Sequence, residues 1–137
     1  MVKREVIHKR LKRLNEYLSI LHSLQKYHYD EFIANPELYG STERFLHLSI
    51  EAINDLGNHW IADENLGEVN WYSDVPRVLA ENQLIDEALA DVWVKMVGFR
   101  NVLVHEYTEI DHKIVYDVLQ NHLTDLEAIK AIFVSLL

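Results

Sequence analysis

The stretch VKREVIHKRLKRLNEYLSILHSLQKY, residues 2–27, decides the fold. Ile7, Leu11, Leu14, Leu18 and Leu21 recur at steps of four, three, four and three. A strand alternates its faces residue by residue, whereas this spacing returns to one side of a helix. The product is a heptad-like apolar seam, suited to antiparallel packing in a bundle. Such a seam explains packing within one chain as well as between chains, so it fixes no oligomeric state.

Outward from that helix the same periodicity continues. Asp30 to Ala34 reads as a short helical turn, and Pro36 and Gly40 punctuate a connection. A second helix is expected from Ser41-Thr42 to about Trp60, with Phe45, Leu48, Ser49, Ala52, Ile53, Leu56 and Trp60 on one side. Arg44, Glu51, Asp55 and Asn58 form a neighbouring polar stripe. Residues 62–73 read as the longest loop. Asp74 is placed to cap a short helix with Pro76 in its first turn. A third long helix runs from about Ile85, burying Ile85, Ala88, Leu89, Val92, Trp93, Met96 and Phe99. Thr108 to Asp111 resembles a capping box, with Thr108 as cap and Asp111 at the third helical position. It opens a last helix over about 109–136, carrying Val115, Val118, Leu119, Leu126, Ile129, Phe133 and Leu136. The expectation is an all-α, up-and-down bundle of four main helices and one or two short ones, in a single domain spanning 1–137.

Composition narrows the function classes. The 49% hydrophobic and 26% charged content are those of a soluble globular protein. No signal peptide and no membrane span are expected, and a cytoplasmic setting follows. The absence of cysteine excludes thiol nucleophiles and cysteine-ligated metal sites. A net charge of −9 argues against a broad nucleic-acid-coating surface. The charge is uneven: Lys3, Arg4, Lys9, Arg10, Lys12 and Arg13 face the single acid Glu5 in residues 1–13. That segment is either a solvated basic helix face or a patch that steers RNA or an acidic partner.

Chemistry concentrates in Arg100-Asn101-Val102-Leu103-Val104-His105-Glu106-Tyr107. Arginine binds phosphate oxygens bidentately, and histidine exchanges a proton near neutral pH. On one continuous helix Arg100 and His105 would point about 140° apart. Asn101 and His105 would share a face, as would Arg100 and Tyr107. Either the helix unwinds before Thr108, or Arg100 and His105 act on a substrate lying across two subunits. A symmetric homodimer would bring two copies of each to one cleft.

With these residues in place, the chain resembles the HEPN-domain ribonuclease toxins of the HepT type, which carry an Arg-x4-His-x-Tyr motif. Glu51-Ala52, Asp55 and Asn58-His59 are similar to the family's second helix. Leu79, Gln83-Leu84-Ile85, Leu89-Ala90, the Lys95–Phe99 run, Asp111 and Val115-Tyr116 extend the similarity over about residues 5–135. The resemblance implies a HEPN-like fold and a metal-independent endoribonuclease, the toxin of a type VII-like toxin–antitoxin pair. It implies catalytic roles for Arg100 and His105, with Asn101 orienting the histidine or the phosphate. It further implies an MntA-like nucleotidyltransferase antitoxin that AMPylates Tyr107, and no cofactor. RNA is the implied substrate. The alternative is a non-catalytic HEPN-like module that binds a nucleotide or a nucleotidyltransferase.

Plainer readings stand beside these. Arg100, Asn101 and His105 also suit a helix-end hydrogen-bond network, and Tyr107 a half-buried aromatic. Asp55 is a supporting candidate, an acid placed to orient Arg100, or else a solvated charge. The pairs Glu5/His8 and Glu109/His112 have a di-iron-like spacing, but both fall at helix ends, so no metal site is expected.

Overall fold

A computed structural model of the protein describes residues 3–104 and 109–137. Among these residues the elements are α1 (Arg4–Leu24), α2 (Tyr29–Ala34), α3 (Pro36–Glu64), α4 (Asp74–Glu81), α5 (Glu87–Val104), α6 (His112–Asn121) and α7 (Leu123–Val134). The seam of α1 is buried along its whole length, from Ile7 through Leu11, Leu14, Leu18 and Leu21 to Leu24. Each such side chain contributes roughly 1.5–3 kcal/mol of burial. α1, α3, α5 and the α6–α7 pair are the four rods of an all-α bundle; α2 and α4 are the short additions.

The central rod is α3, which packs against all six other helices. It starts earlier than Ser41. Asn35 caps it by accepting from the Glu37 amide at 2.9 Å, and Pro36 takes the first helical position. Proline there gives up only an N–H that a helix start leaves unpaired. The Pro36–Gly40 segment is therefore helix, not connection. Because α3 is enclosed on several sides, its buried arc is wider than one stripe and is rotated from the expected face. Leu46, Ile50 and Asn54 are buried, while Phe45, Leu48 and Ala52 are only half-buried. Asn54 is satisfied there by the indole N–H of fully buried Trp93, 3.1 Å away.

On α5 the buried side holds Ala90 and Val97 with the expected Trp93 and Met96, while Ala88 is exposed and Leu89, Val92 and Phe99 are half-buried. Other differences lie at helix ends. Asp74 does not cap α4 but is its first residue, and its Oδ2 accepts the amides of Asn70 and Trp71 at 3.0 Å each. It thereby ties down the preceding loop. α5 begins at Glu87, because Asp86 Oδ1 accepts the Leu89 amide at 2.7 Å. α6 begins at His112, with Asp111 as the cap through the Lys113 amide at 2.9 Å. Asp111 is thus not at a third helical position, and the expected cap Thr108 lies outside the described residues. The expected last helix is two helices that break at His122. There the Leu119 carbonyl accepts from Gln25 Nε2 at 2.9 Å, a group that an unbroken helix would direct to the Leu123 amide. No helix among the described residues is long and apolar enough to cross a membrane.

Candidate active site

Arg100 sits near the C-terminal end of α5, with its side chain only 16% exposed. Its Nη2 donates to Glu51 Oε1 on α3 at 2.5 Å, and its Nη1 donates to Asn101 Oδ1 at 3.3 Å. The guanidinium carbon lies 4.5 Å from the ring centre of Tyr72, within cation–π range. The Arg100 Nε is buried without a hydrogen-bond partner among the described residues. One donor of a buried guanidinium is thus left for whatever else enters the site.

Glu51 is the hinge of this arrangement. One helical turn earlier, His47 Nε2 stands 3.0 Å from the same carboxylate oxygen. Partial burial pushes the Glu51 carboxyl up, but hydrogen bonds and charge from Arg100 and His47 outweigh it, so the net pKa is lowered. Glu51 is therefore an anion at neutral pH, and it fixes the direction of Arg100.

Asp55 does not reach Arg100. It pairs with Arg10 of α1, and His59 Nε2 lies 3.8 Å from its other oxygen. Glu51 and Asp55 are one turn apart on the same polar stripe, so both face the same way along α3 but at different heights. α5 passes the lower one and α1 the upper. Asp55 is thus a correction: Glu51 holds the supporting contact. Tyr72 was also not legible as part of the site, since an aromatic in an aperiodic loop has no spacing signal. Asn101 is exposed beside Arg100. His105 and Tyr107 lie outside the described residues, as does the last part of the motif's path to α6.

Next to Arg100, between α1, α3 and the loop before α4, lies an open groove of about 690 Å³. Arg10, Arg13, Tyr17, Glu51, Asn58, Asn70, Trp71 and Tyr72 line it, and Tyr72 and Glu51 connect it to the guanidinium.

A helical bundle with an Arg-Asn pair at the end of its third rod, leading into a His and a Tyr, is a HEPN-type protein. The chain belongs to the HepT-like ribonuclease family, whose model matches residues 7–131. It is 43% identical over 77 residues to the mRNA nuclease HepT of Shewanella oneidensis, a match covering 56% of this chain and 58% of that protein. It is 29% identical over 111 residues to the tRNA nuclease HepT of Aphanizomenon flos-aquae, covering 81% and 76% respectively. Among solved structures it is similar to a toxin–antitoxin complex with AMP-PNP, with a TM-score of 0.89 at 28% identity over 96% of this chain and 99% of that one. It is also similar to a tri-AMPylated HEPN toxin from Shewanella oneidensis in complex with an MNT antitoxin. There the TM-score is 0.87 at 29% identity, covering 97% and 99%.

Proposed function

We propose that the protein is a metal-independent endoribonuclease toxin, held in check by a nucleotidyltransferase antitoxin. The observation that carries this reading is Arg100 at the end of α5, oriented by Glu51 and Asn101 immediately before His105 in a HepT-like chain. The relatives named as nucleases and the toxin–antitoxin structures support it.

In the reaction a ribose 2′-oxygen attacks the adjacent phosphorus and the bond from phosphorus to the 5′-oxygen breaks. The 2′-hydroxyl proton leaves to a general base, and the departing 5′-oxygen gains a proton. The products are a 2′,3′-cyclic phosphate and a 5′-hydroxyl. His105 serves as base or acid, a role worth about 10²–10⁴-fold. Arg100 stabilises the negative charge that builds on the phosphoryl oxygens. Asn101 orients the phosphate or the histidine. A homodimer joins two motifs in one cleft, and the pair acts in the cytoplasm.

Tyr107 is the control point. AMP added there places bulk and negative charge beside Arg100 and His105, where it excludes an RNA phosphate. The test is cleavage of RNA in chelator by the wild-type protein and by His105→Ala. A folded His105→Ala protein that still cleaves RNA refutes the reading. For Tyr107, intact mass after co-expression with the nucleotidyltransferase gives AMP-sized increments that vanish in Tyr107→Phe.

A further inference from the structure

We propose that the groove between α1, α3 and the loop before α4 is a subsite for a nucleotide of single-stranded RNA next to the scissile phosphate. The proposal rests on the ribonuclease reading, and names the part of the site that holds the substrate rather than cuts it.

Two aromatics mark the groove. Trp71 is 74% exposed and Tyr72 51% exposed. Their loop is not a loose one. The amides of Asn70 and Trp71 donate to Asp74, the Trp71 carbonyl accepts from the Asp74 amide at 3.0 Å, and Asn82 Nδ2 donates to the Leu66 carbonyl at 3.1 Å. Gly67 lies so close to Val78 that an added Cβ would stand 3.0 Å from its Cγ1. The indole is thus presented to solvent on a fixed support, and little entropy is left to lose when a flat ligand stacks on it.

The polar lining selects the ligand. Arg13 is exposed on the α1 wall, and the side-chain amides of Asn58 and Asn70 offer donors and acceptors to a base edge. Two carboxylates line the groove, and an arginine engages each: Arg10 on Asp55 and Arg100 on Glu51. The lining therefore carries two arginines against two acids, and Arg100, held by the lining residue Glu51, adds a third cation at its edge, in a chain whose net charge is −9. Aromatic faces with arginines alongside are the pattern that binds single-stranded nucleic acid. Tyr72 supplies continuity, because it lines the groove and also lies against the guanidinium of Arg100. A base stacked in the groove leaves its own backbone phosphate in the direction of Arg100. The volume, about 690 Å³, is in the range of small-molecule sites.

The test measures binding of a short 2′-deoxy oligonucleotide, which cannot be cut by a 2′-hydroxyl mechanism. Trp60 and Trp93 are 5% and 0% exposed, so in the wild type and Arg13→Gln quenching of tryptophan fluorescence reports on Trp71, while the anisotropy of a dye-labelled oligonucleotide reads binding for every variant. Trp71→Ala is expected to weaken binding by roughly 10-fold, and Trp71→Phe to keep most of it. Arg13→Gln is expected to weaken binding and to make it less salt-dependent. In RNA cleavage, Trp71→Ala raises KM and leaves kcat nearly unchanged. If Trp71→Ala and Arg13→Gln bind the oligonucleotide as the wild type does while RNA is still cleaved, the subsite is refuted and the nuclease stands. If the wild type cleaves no RNA yet loses oligonucleotide binding on Trp71→Ala, the nuclease is refuted and the groove stands only as a single-strand binding site with no scissile phosphate beside it. Loss of affinity for a purified nucleotidyltransferase alone, with oligonucleotide binding intact, makes the groove a protein-docking surface and overturns the proposal.

Discussion

Arg100 shows how much one side chain depends on its neighbours. A guanidinium that is mostly buried, with a carboxylate 2.5 Å away and a ring across its face, has one orientation instead of many. Lysine at this position keeps the charge but loses the fork that reaches Glu51, Asn101 and a phosphate together. Arg100→Lys is therefore expected to lower kcat for RNA cleavage by about 10²–10³-fold, with an unchanged melting temperature within a few degrees. Steady-state cleavage beside a thermal melt checks both halves. Glu51→Gln acts through Arg100, so its effect on cleavage should be milder, about 10-fold. It also has a pH signature. The Glu51 pKa is lowered from its ordinary value of 4.5, so the stability it contributes is fully present above that value. That stability is lost as pH falls through the lowered folded value. Urea unfolding between neutral pH and about pH 3 should show a shallower acid loss for Glu51→Gln than for the wild type. An identical acid limb in the two proteins would mean that Glu51 makes no charge-dependent contact.

At the scale of elements, close approach is decided by glycine. Gly57 of α3 lets α4 and α5 pack on one spot: an added Cβ would stand 2.5 Å from Val75 Cγ1 and 3.2 Å from the Trp93 ring. Both neighbours are buried, so neither moves freely. Gly57→Ala gains helix propensity of up to about 1 kcal/mol, yet the overpacking costs about 1–3 kcal/mol. A net loss is expected in urea unfolding, whereas Gly40→Ala, with open space around the site, should stabilise. The elements also show what the sequence made legible. The α1 seam was readable because one side of α1 meets the bundle, and all five of its marked residues are buried. The face of α3 was readable only in part: Ser49, Ile53, Leu56 and Trp60 are buried as expected, but a helix touched by six others has no single stripe to find. Caps misled for a related reason. Asp74 and Asp111 are good cap residues by type, but an aspartate near a helix start bonds whichever amides the loop brings to it, and sequence does not give the loop's path. The site divides the same way. Arg100 and Asn101 stood out by type and spacing, while Glu51 over Asp55 was decided by the heights at which α5 and α1 cross α3.

Over the whole molecule, the charge distribution decides how RNA would be met under the proposed function. Residues 1–13 hold six of the 13 basic side chains, and the rest of the chain is strongly acidic. If this segment gripped RNA wholesale, binding would release many counterions and fall steeply with salt. The structure uses part of it internally: Arg10 is committed to Asp55, and Arg13 is the neighbour that lines the groove. Arg100 adds a third cation, itself shared with Glu51. Phosphate contacts per protomer should then number about two or three, which for a single strand sets a slope of log affinity against log salt near −2. Bases stacked on Trp71, as the proposed subsite requires, would contribute affinity that salt leaves in place. The expectation is binding of a short 2′-deoxy oligonucleotide that weakens only modestly between low and physiological salt. A slope steeper than about −5 would require about seven or more phosphates neutralised per strand, more than the groove's arginines provide. The basic face of α1 would then be the main contact, and substitution of Lys9 and Lys12, rather than Trp71, would remove most of the binding.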